Sequence, residues 1–430
     1  MKKVILALMI VAIAMPAFAS ETRIRTLGHM IAPYIEDDAN VWTWYATLPS
    51  YANLVTITAG YEDVYIYGDD TGWYNDYIYA KFGLTYGLGE ENKYGVLGLW
   101  WEETTLGPLF GHETWGPYDY NTVQFDEWVY NKWNVMWGYQ MDGIAFGLYF
   151  NRADNGEYVE GTWGDEDIEG EMHEAYTTLG LGVRFDIGEA MYADVAFDYT
   201  MVNWTYLEPE DVDAENEITE DANSMMGFRG RLFYEWTDMI TWVPYVNYRM
   251  GDFSVKSSND EYYGDFDCWG FKGFHFDLGL GANIQVNDET MLILAVEPYG
   301  MAKAEPSECG AEAGESSLKA TLFPGMAFGF ESDVRDWLTF RAGCDKVFVK
   351  WTEEYEGDIE GEDGSIEYKS TSAPFNWFLG VGLHVGDFDI DAMVNKEVPF
   401  SMGYWLTGFQ PYNGYDSGAP IGMISATYHF

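Results

Sequence analysis

Charged side chains stand at every second position in several otherwise apolar stretches, and they are the residues best suited to chemistry. In residues 228–232, for example, Arg229 and Arg231 alternate with apolar or small residues. The same alternation selects the basic residues Arg184, Arg229, Arg231, Arg249 and Arg341 and the acidic residues Asp194, Asp198, Glu235, Asp277, Glu297 and Asp345. Both signs of charge on one surface predict electrostatic chemistry. Such a surface is either a polar conduit that sorts solutes or a set of ion pairs that closes a passage.

Covalent and metal chemistry have no comparable signal in the sequence. The six histidines are scattered, none shows metal-ligand spacing such as H-x-x-x-H, and no Gly-rich phosphate loop follows a strand. The acidic run that begins at Asp358 resembles an EF-hand loop, but Asp363 stands where Gly is required and Lys369 where Glu is required. We therefore expect no enzyme, catalytic residue, defined metal site or cofactor, and only weak binding of divalent cations by clustered carboxylates.

The elements that must position the charges are β-strands. In residues 274–286 every second side chain is apolar, and residues 291–302 follow after a short polar turn. Strict period two indicates a strand with one apolar face. At about 3.3 Å per residue and a tilt near 45°, the first run reaches roughly 30 Å, the depth of a bilayer's hydrocarbon.

Similar runs recur along the chain, joined by short and long connections in strict alternation. Bacterial outer-membrane barrels have short periplasmic turns and long extracellular loops. The sequence therefore predicts an all-β fold, a transmembrane antiparallel β-barrel of about 16 strands, with 14 as the alternative. Residues 154–174 and 353–372 are predicted to be long acidic loops on the extracellular side. An arginine on the lipid face would cost about 2–4 kcal/mol at the membrane midplane, so we expect the alternating charges to line the lumen.

The two ends of the chain predict export to the outer membrane of a diderm bacterium. Residues 1–19 read as a cleaved signal peptide, with Lys2 and Lys3 before an apolar core and an A-x-A site that ends at Ala19. The last residues alternate and end at Phe430, which resembles the terminal strand signature that the barrel-assembly machinery recognises. We predict a signal peptide at 1–19, a separate N-terminal segment at 20–52 and the barrel at 53–430.

Cys268 and Cys309 flank the strand pair of residues 274–302 at similar distances from its turn. Because an exported protein passes through an oxidising compartment, we predict a disulfide between them, with two unpaired thiols as the alternative.

The net charge of −49 makes nucleic acid an improbable partner. The expected partners are outer-membrane lipid and small solutes, and the predicted function is that of a porin that lets small solutes pass passively. Two alternatives remain open: a hatch-gated transporter of hydrophobic molecules, and a structural or adhesive surface protein anchored by its barrel.

The hatch alternative comes from a resemblance in the N-terminal segment. Asp37 and Asp38 precede an aromatic run that contains Trp42, Trp44 and Tyr45, and a strand follows from about residue 53. This resembles the N-terminal hatch of the long-chain fatty-acid transporter family, although Trp44-Tyr45 stands at that family's Asn-Pro. The resemblance implies a segment that plugs the barrel from inside, with these five residues as hatch or ligand contacts.

Overall fold

The structure is a computed structural model. It describes residues 21–64, 75–103, 132–163, 166–207, 217–220, 223–257, 268–306, 315–359, 362–394 and 421–430. None of the helices in these ranges has the length and apolar content needed to cross a membrane.

The described residues form one antiparallel sheet. Its strands are β1 (Leu54–Val64), β2 (Asn75–Gly87), β3 (Val96–Glu103), β4 (Lys132–Met141), β5 (Ile144–Trp163), β6 (Glu166–Asp186), β7 (Met191–Leu207), β8 (Glu217–Glu220), β9 (Ser224–Thr237), β10 (Ile240–Ser257), β11 (Cys268–Asn287), β12 (Thr290–Pro306), β13 (Glu315–Arg335), β14 (Leu338–Ile359), β15 (Glu362–Ser372), β16 (Phe375–His384), β17 (Phe388–Val394) and β18 (Ile421–His429).

The sheet closes on itself, because β1 pairs with β2 on one side and with β18 on the other. The short β8 lies between β7 and β10 at the end remote from the short turns. Both β15 and β16 pair with β14, one after the other, so they form a single spanning strand interrupted before Phe375. The predicted 16-strand antiparallel barrel is therefore confirmed.

The two long acidic segments correct a prediction. The sequence predicts loops at residues 154–174 and 353–372, but most of each is a β-hairpin that continues the barrel strands. Pairing runs to Trp163 opposite Glu166 and to Ile359 opposite Glu362. Backbone hydrogen bonds can extend an existing pair of strands into water, where neither face needs apolar side chains. The period-two signal therefore ends before the strand does.

The barrel has an apolar outside and a polar inside. Large apolar side chains such as Leu148 and Phe197 are exposed on the outer face, while Asn247 and Thr427 are buried on the inner one. Exposed tryptophans lie near both ends, for example Trp133 and the turn residue Trp337. This distribution of apolar and polar side chains is the reverse of that in a soluble protein. It is typical of a barrel wall that faces lipid, with aromatic girdles at the two membrane interfaces.

Residues 21–53, here called the lumenal segment, lie inside the barrel. They form α1 (Glu21–Leu27) and three 3₁₀ helices, His29–Tyr34, Asp38–Trp42 and Tyr45–Tyr51. α1 packs on β13, β14, β16, β17 and β18, the first 3₁₀ helix on β10 to β13, and the last on β3 to β7. The fully buried side chains of the lumenal segment include Leu27, Ile31, Tyr34, Trp44 and Leu48.

Glycines on the inner face make room for this segment. A Cβ added at Gly147 would overlap the carbonyl oxygen of Tyr45, and one at Gly343 would overlap that of Leu27. Because only glycine lets a backbone approach so closely, these positions bring the lumenal segment directly against the wall.

Candidate functional site in the barrel lumen

Arg231 of β9 joins the wall to the lumenal segment, and its side chain is fully buried. Its Nε donates to Asp194 Oδ2 on β7 at 2.9 Å. Its Nη1 donates to the carbonyl oxygens of Pro33 (3.1 Å) and Ile35 (2.9 Å), and its Nη2 donates to Asn40 Oδ1 at 2.9 Å. One guanidinium group therefore fixes three points of the lumenal segment to a carboxylate of the wall.

Arg184 of β6 extends this network towards the short turns. It donates to both oxygens of Asp194, at 2.6 and 2.8 Å, and pairs with Glu36 of the lumenal segment at 2.7 Å. Its guanidinium also lies 4.7 Å from the centre of the Tyr192 ring. Asp194 thus receives hydrogen bonds from two arginines, and this sharing fixes their positions.

A second network joins α1 to the other side of the wall. Arg23 pairs with Asp37 at 2.7 Å and with Glu331 of β13 at 2.7 Å. Glu331 also pairs with Arg341 of β14 at 2.5 Å, and Arg341 pairs with Asp391 of β17. Burial lowers the pKa of Arg23, whereas the attraction of the Glu331 and Asp37 carboxylates raises it. The attraction is the larger effect, so the pKa of Arg23 is raised.

The predicted acidic pair of the hatch has two different roles. Asp37 caps the 3₁₀ helix Asp38–Trp42: its Oδ1 accepts from the Ala39 N–H, and its own N–H donates to Asn40 Oδ1. Asp38 has a buried Oδ1 that meets no hydrogen-bond partner among the described residues. Burial, and then the neighbouring Asp37 carboxylate, raise the pKa of Asp38 well above its ordinary value.

The aromatic residues of the hatch prediction pack on charged or aromatic wall residues. The Trp44 ring lies 4.5 Å from the Arg231 guanidinium, and the Tyr45 ring stacks on Tyr149 at 4.8 Å. Trp42 lies under Lys81, with 4.0 Å from the Lys81 Nζ to the ring centre. Trp44 and Tyr45 are buried, while Trp42 is half-buried.

Arg229 and Asp198 form a third tether close to Tyr45. They make a buried ion pair between β9 and β7. The Tyr45 hydroxyl donates to Asp198 Oδ1 at 3.5 Å, and Arg229 Nη1 donates to the Thr43 carbonyl oxygen at 3.5 Å. Burial raises the pKa of the Tyr45 hydroxyl, so it remains a donor.

Three more of the predicted lumen charges, Asp277, Glu297 and Asp345, lie on β11, β12 and β14. Asp277 contacts His275 at 2.8 Å and accepts from Asn247 Nδ2 at 3.1 Å. The Tyr34 hydroxyl donates to Glu297 Oε1 at 3.3 Å. On β14, Asp345 Oδ1 accepts from Asn376 Nδ2 at 2.9 Å.

The placement of the eleven alternating charges follows the inner face. Buried are Arg229, Arg231, Arg341, Asp194, Asp198, Asp277, Glu297 and Asp345, while Arg184 and Arg249 are half-buried and Glu235 is exposed. Sequence reasoning missed Arg23 and Glu36, because the lumenal segment has no period two. It also missed Glu331 and Asp391, which do alternate with apolar residues. Cys309 lies outside the described residues and the Cys268 side chain is not described, so the disulfide stays a prediction.

Two of the spaces that the described residues leave beside the lumenal segment bear on function. A mid-lumen cavity of about 70 Å³ is lined by Trp42, Trp44, Arg229 and Arg249, among others. A larger space of about 450 Å³, here called the turn-side cleft, is bordered by the β9–β10 turn. Along the inner face of β9, Arg229 faces the cavity, Phe233 faces the cleft, and Arg231 lies between them.

These features define the class of protein. A closed antiparallel barrel with an apolar exterior, a polar interior and short turns at one end satisfies every backbone group without exposing a sheet edge to lipid. The chain is an outer-membrane β-barrel, as the sequence predicts.

Comparison with known proteins assigns no family to this chain. No protein-family model matches the chain, and no curated protein sequence matches it. A Pseudomonas aeruginosa FadL homologue is 11% identical, with a TM-score of 0.36, and the alignment covers 97% of this chain and 100% of that one. The copper transporter OprC is 12% identical, with a TM-score of 0.40. The alignment covers 80% of this chain and 60% of OprC. The FrpB iron transporter from Neisseria meningitidis is 8% identical, with a TM-score of 0.40. The alignment covers 81% of this chain and 62% of FrpB. At these scores the similarity carries no conclusion about function.

Proposed function

We propose that this protein is a gated transporter, in which the lumenal segment is a plug that must move before a small solute crosses the outer membrane. The observation that supports this is the position of residues 21–53. They pack inside the barrel and are tied to β6, β7, β9 and β13 by Arg23, Arg184 and Arg231. A passive porin needs a lasting opening, and the position of residues 21–53 inside the barrel supports a gate instead.

The chemistry of the tethers suits a plug that leaves and returns. Buried ion pairs contribute little net stability, because charges that separate regain the hydration that they lost on burial. The segment also buries apolar side chains against the wall, among them Leu27, Ile31 and Trp44, so the plug leaves only if these groups are exposed or find a new contact. The segment consists of helices of at most seven residues, which depend on the wall for their stability.

A reversible lock tests the proposal. Thr22 in α1 contacts Ser425 in β18 through both side-chain oxygens, so cysteines at both positions are close enough to form a disulfide. We expect T22C/S425C to lose solute flux in proteoliposomes when oxidised and to regain it with reductant. The single variants T22C and S425C are the matched controls and should keep their flux.

The rival functions give different results. Flux that continues unchanged with the lock closed would indicate a permanent passage and a passive porin. No flux in the wild type, in the reduced double variant or in a variant with weakened tethers would favour the anchored surface protein. We also propose that the barrel is not an enzyme.

A further inference from the structure

The turn-side cleft has the dimensions of a small-molecule site. Its volume of about 450 Å³ lies within the range of roughly 300–1,000 Å³ that is usual for ligand pockets. The wall contributes Phe233, Glu235 and the Asp238–Met239 turn, and the lumenal segment contributes Ile35 and Glu36. A ligand in the cleft therefore touches both the fixed and the proposed movable part of the protein.

The charge of the cleft is negative. Three carboxylates line it, those of Glu36, Glu235 and Asp238, and one basic residue, Arg23. Arg23 is paired with Glu331 and with Asp37, and Glu36 is paired with Arg184, so the negative charge of the cleft comes from Glu235 and Asp238. Glu235 and Asp238 are exposed, and the whole chain carries a charge of −49. This field concentrates cations and repels anions.

The apolar part of the cleft is aromatic. Tyr192 and Phe233 stack with their ring centres 4.7 Å apart and their planes at 13°. The Arg184 guanidinium lies 4.7 Å from the Tyr192 ring centre and pairs with Glu36 at 2.7 Å. Arg184 beside Tyr192, and Arg231 at 4.8 Å from the Phe233 ring centre, show that cations are stable beside this ring pair. Because these arginines and the stacking already cover the two rings, a ligand meets only the small part of Phe233 that borders the cleft.

From these observations we infer that the turn-side cleft binds a small organic cation that also carries an apolar or aromatic group. The inference rests on the proposed function and names the class of solute that the gated barrel carries. The cationic group takes a position near Glu235 and Asp238, and the apolar group packs on Met239 and on the small part of Phe233 that borders the cleft. A cation next to Glu36 also competes with Arg184 for that carboxylate, and so weakens one tether of the lumenal segment.

Binding is tested by calorimetric titration of the full-length, detergent-solubilised protein. The probe is benzyltrimethylammonium, with benzyl alcohol and benzoate as the neutral and anionic probes. We expect binding of the cation only. We expect E235Q and D238N each to weaken it by about five-fold, because each removes one facing charge. E289Q, in the β11–β12 turn outside the cleft, is the matched control and should bind as the wild type does.

The outcomes separate this inference from the proposed function. Equal affinity for all three probes, or unchanged affinity in both E235Q and D238N, overturns the cation site, while the T22C/S425C lock still reports on the plug. Binding of the cation without its flux in proteoliposomes overturns its assignment as the solute. Flux of the cation that stops with the oxidised lock and falls in E235Q supports both.

Discussion

Arg231 shows how single residues connect the wall to the lumenal segment. It donates to Asp194 on the wall and to Pro33, Ile35 and Asn40 in the segment, and it lies between the mid-lumen cavity and the turn-side cleft. Removing it leaves two carbonyl oxygens without a donor from this side chain, in a place that water reaches poorly. At the residue scale, the closed state therefore depends on a few charged side chains with several partners each.

The first prediction concerns Arg231→Ala. Breaking a buried charged network typically costs on the order of 3 kcal/mol, so we expect a lower unfolding temperature and increased solute flux. Thermal unfolding followed by heat-dependent gel mobility and proteoliposome flux are the measurements. Arg152→Ala is the control, because the Arg152–Asp154 pair is exposed and worth roughly 0–1 kcal/mol. Equal effects of the two variants would contradict the assigned importance of Arg231.

The second prediction concerns pH and Asp38. Its pKa is raised above the ordinary value of 3.8, so the closed state holds the Asp38 proton more tightly than the unfolded chain does. The stability from this group is complete below pH 3.8 and is lost as the pH rises through the raised pKa. Asp38→Asn keeps a neutral side chain, so we expect greater thermal stability and lower flux than the wild type near neutral pH.

The difference in stability and flux between Asp38→Asn and the wild type should vanish in acid, where Asp38 is protonated. Asp37 and Asp391, whose charges also act on Asp38, remain in both proteins. Unfolding temperatures of wild type and Asp38→Asn, measured from about pH 4 to pH 8, provide the comparison. Parallel curves across that range would show that Asp38 does not titrate with closure.

At the scale of elements, the inner glycines determine how closely the lumenal segment approaches the strands. Gly147 on β5 and Gly343 on β14 lie against backbone atoms of Tyr45 and Leu27, on different sides of the barrel. Backbone atoms cannot rotate away as a flexible side chain can. The fit between the segment and the wall is therefore sensitive to a single added methyl group.

The third prediction is that Gly147→Ala displaces the third 3₁₀ helix from the wall. We expect a loss of about 1–3 kcal/mol in stability and increased flux. Gly230→Ala is the matched control, since its added Cβ would meet Val246 at an ordinary 3.4 Å. Limited proteolysis of residues 21–53, together with flux, is the measurement. Continued protection of the segment in Gly147→Ala would argue against this close fit.

At the scale of the whole molecule, closure of the barrel depends on β18. This strand pairs with β17 and with β1, and the Phe430 N–H donates to the Asn53 carbonyl oxygen at 3.1 Å. The Phe430 ring stacks with Tyr86 at 6.4 Å and with Tyr428 at 6.1 Å. Because β18 completes the sheet, a chain in which it fails to dock has two open edges in lipid.

The fourth prediction separates recognition from packing at Phe430. If the terminal residue is read during assembly, Phe430→Ala should lower the amount of folded barrel in the outer membrane several-fold. Tyr86→Ala loses one of the two ring contacts of Phe430 but keeps Phe430 itself, so it should assemble nearly normally. Heat-dependent gel mobility of outer-membrane fractions measures both. Similar losses in the two variants would indicate a packing effect alone.

The sequence by itself predicts a barrel of about 16 spanning strands, with 14 as the alternative, and the inward side of the alternating charges. Both follow from period two, a local property that lipid imposes on one face of every strand. Arg231 and Asp277, for example, alternate with apolar neighbours, and both point inward. Beyond the lipid no face of a strand has to be apolar, so period two does not reveal that the paired residues up to Trp163 and Ile359 are strands.

Only the tertiary structure decided which charges pair and what occupies the lumen. Arg23 meets Glu331, more than 300 positions away, because closure of the sheet and the strand register bring β13 next to α1. No local sequence pattern predicts a contact between residues so far apart in the chain, and the lumenal segment has no periodicity of its own. Its position depends on the summed fit of glycines, arginines and carboxylates from many strands, which exists only once the barrel has closed.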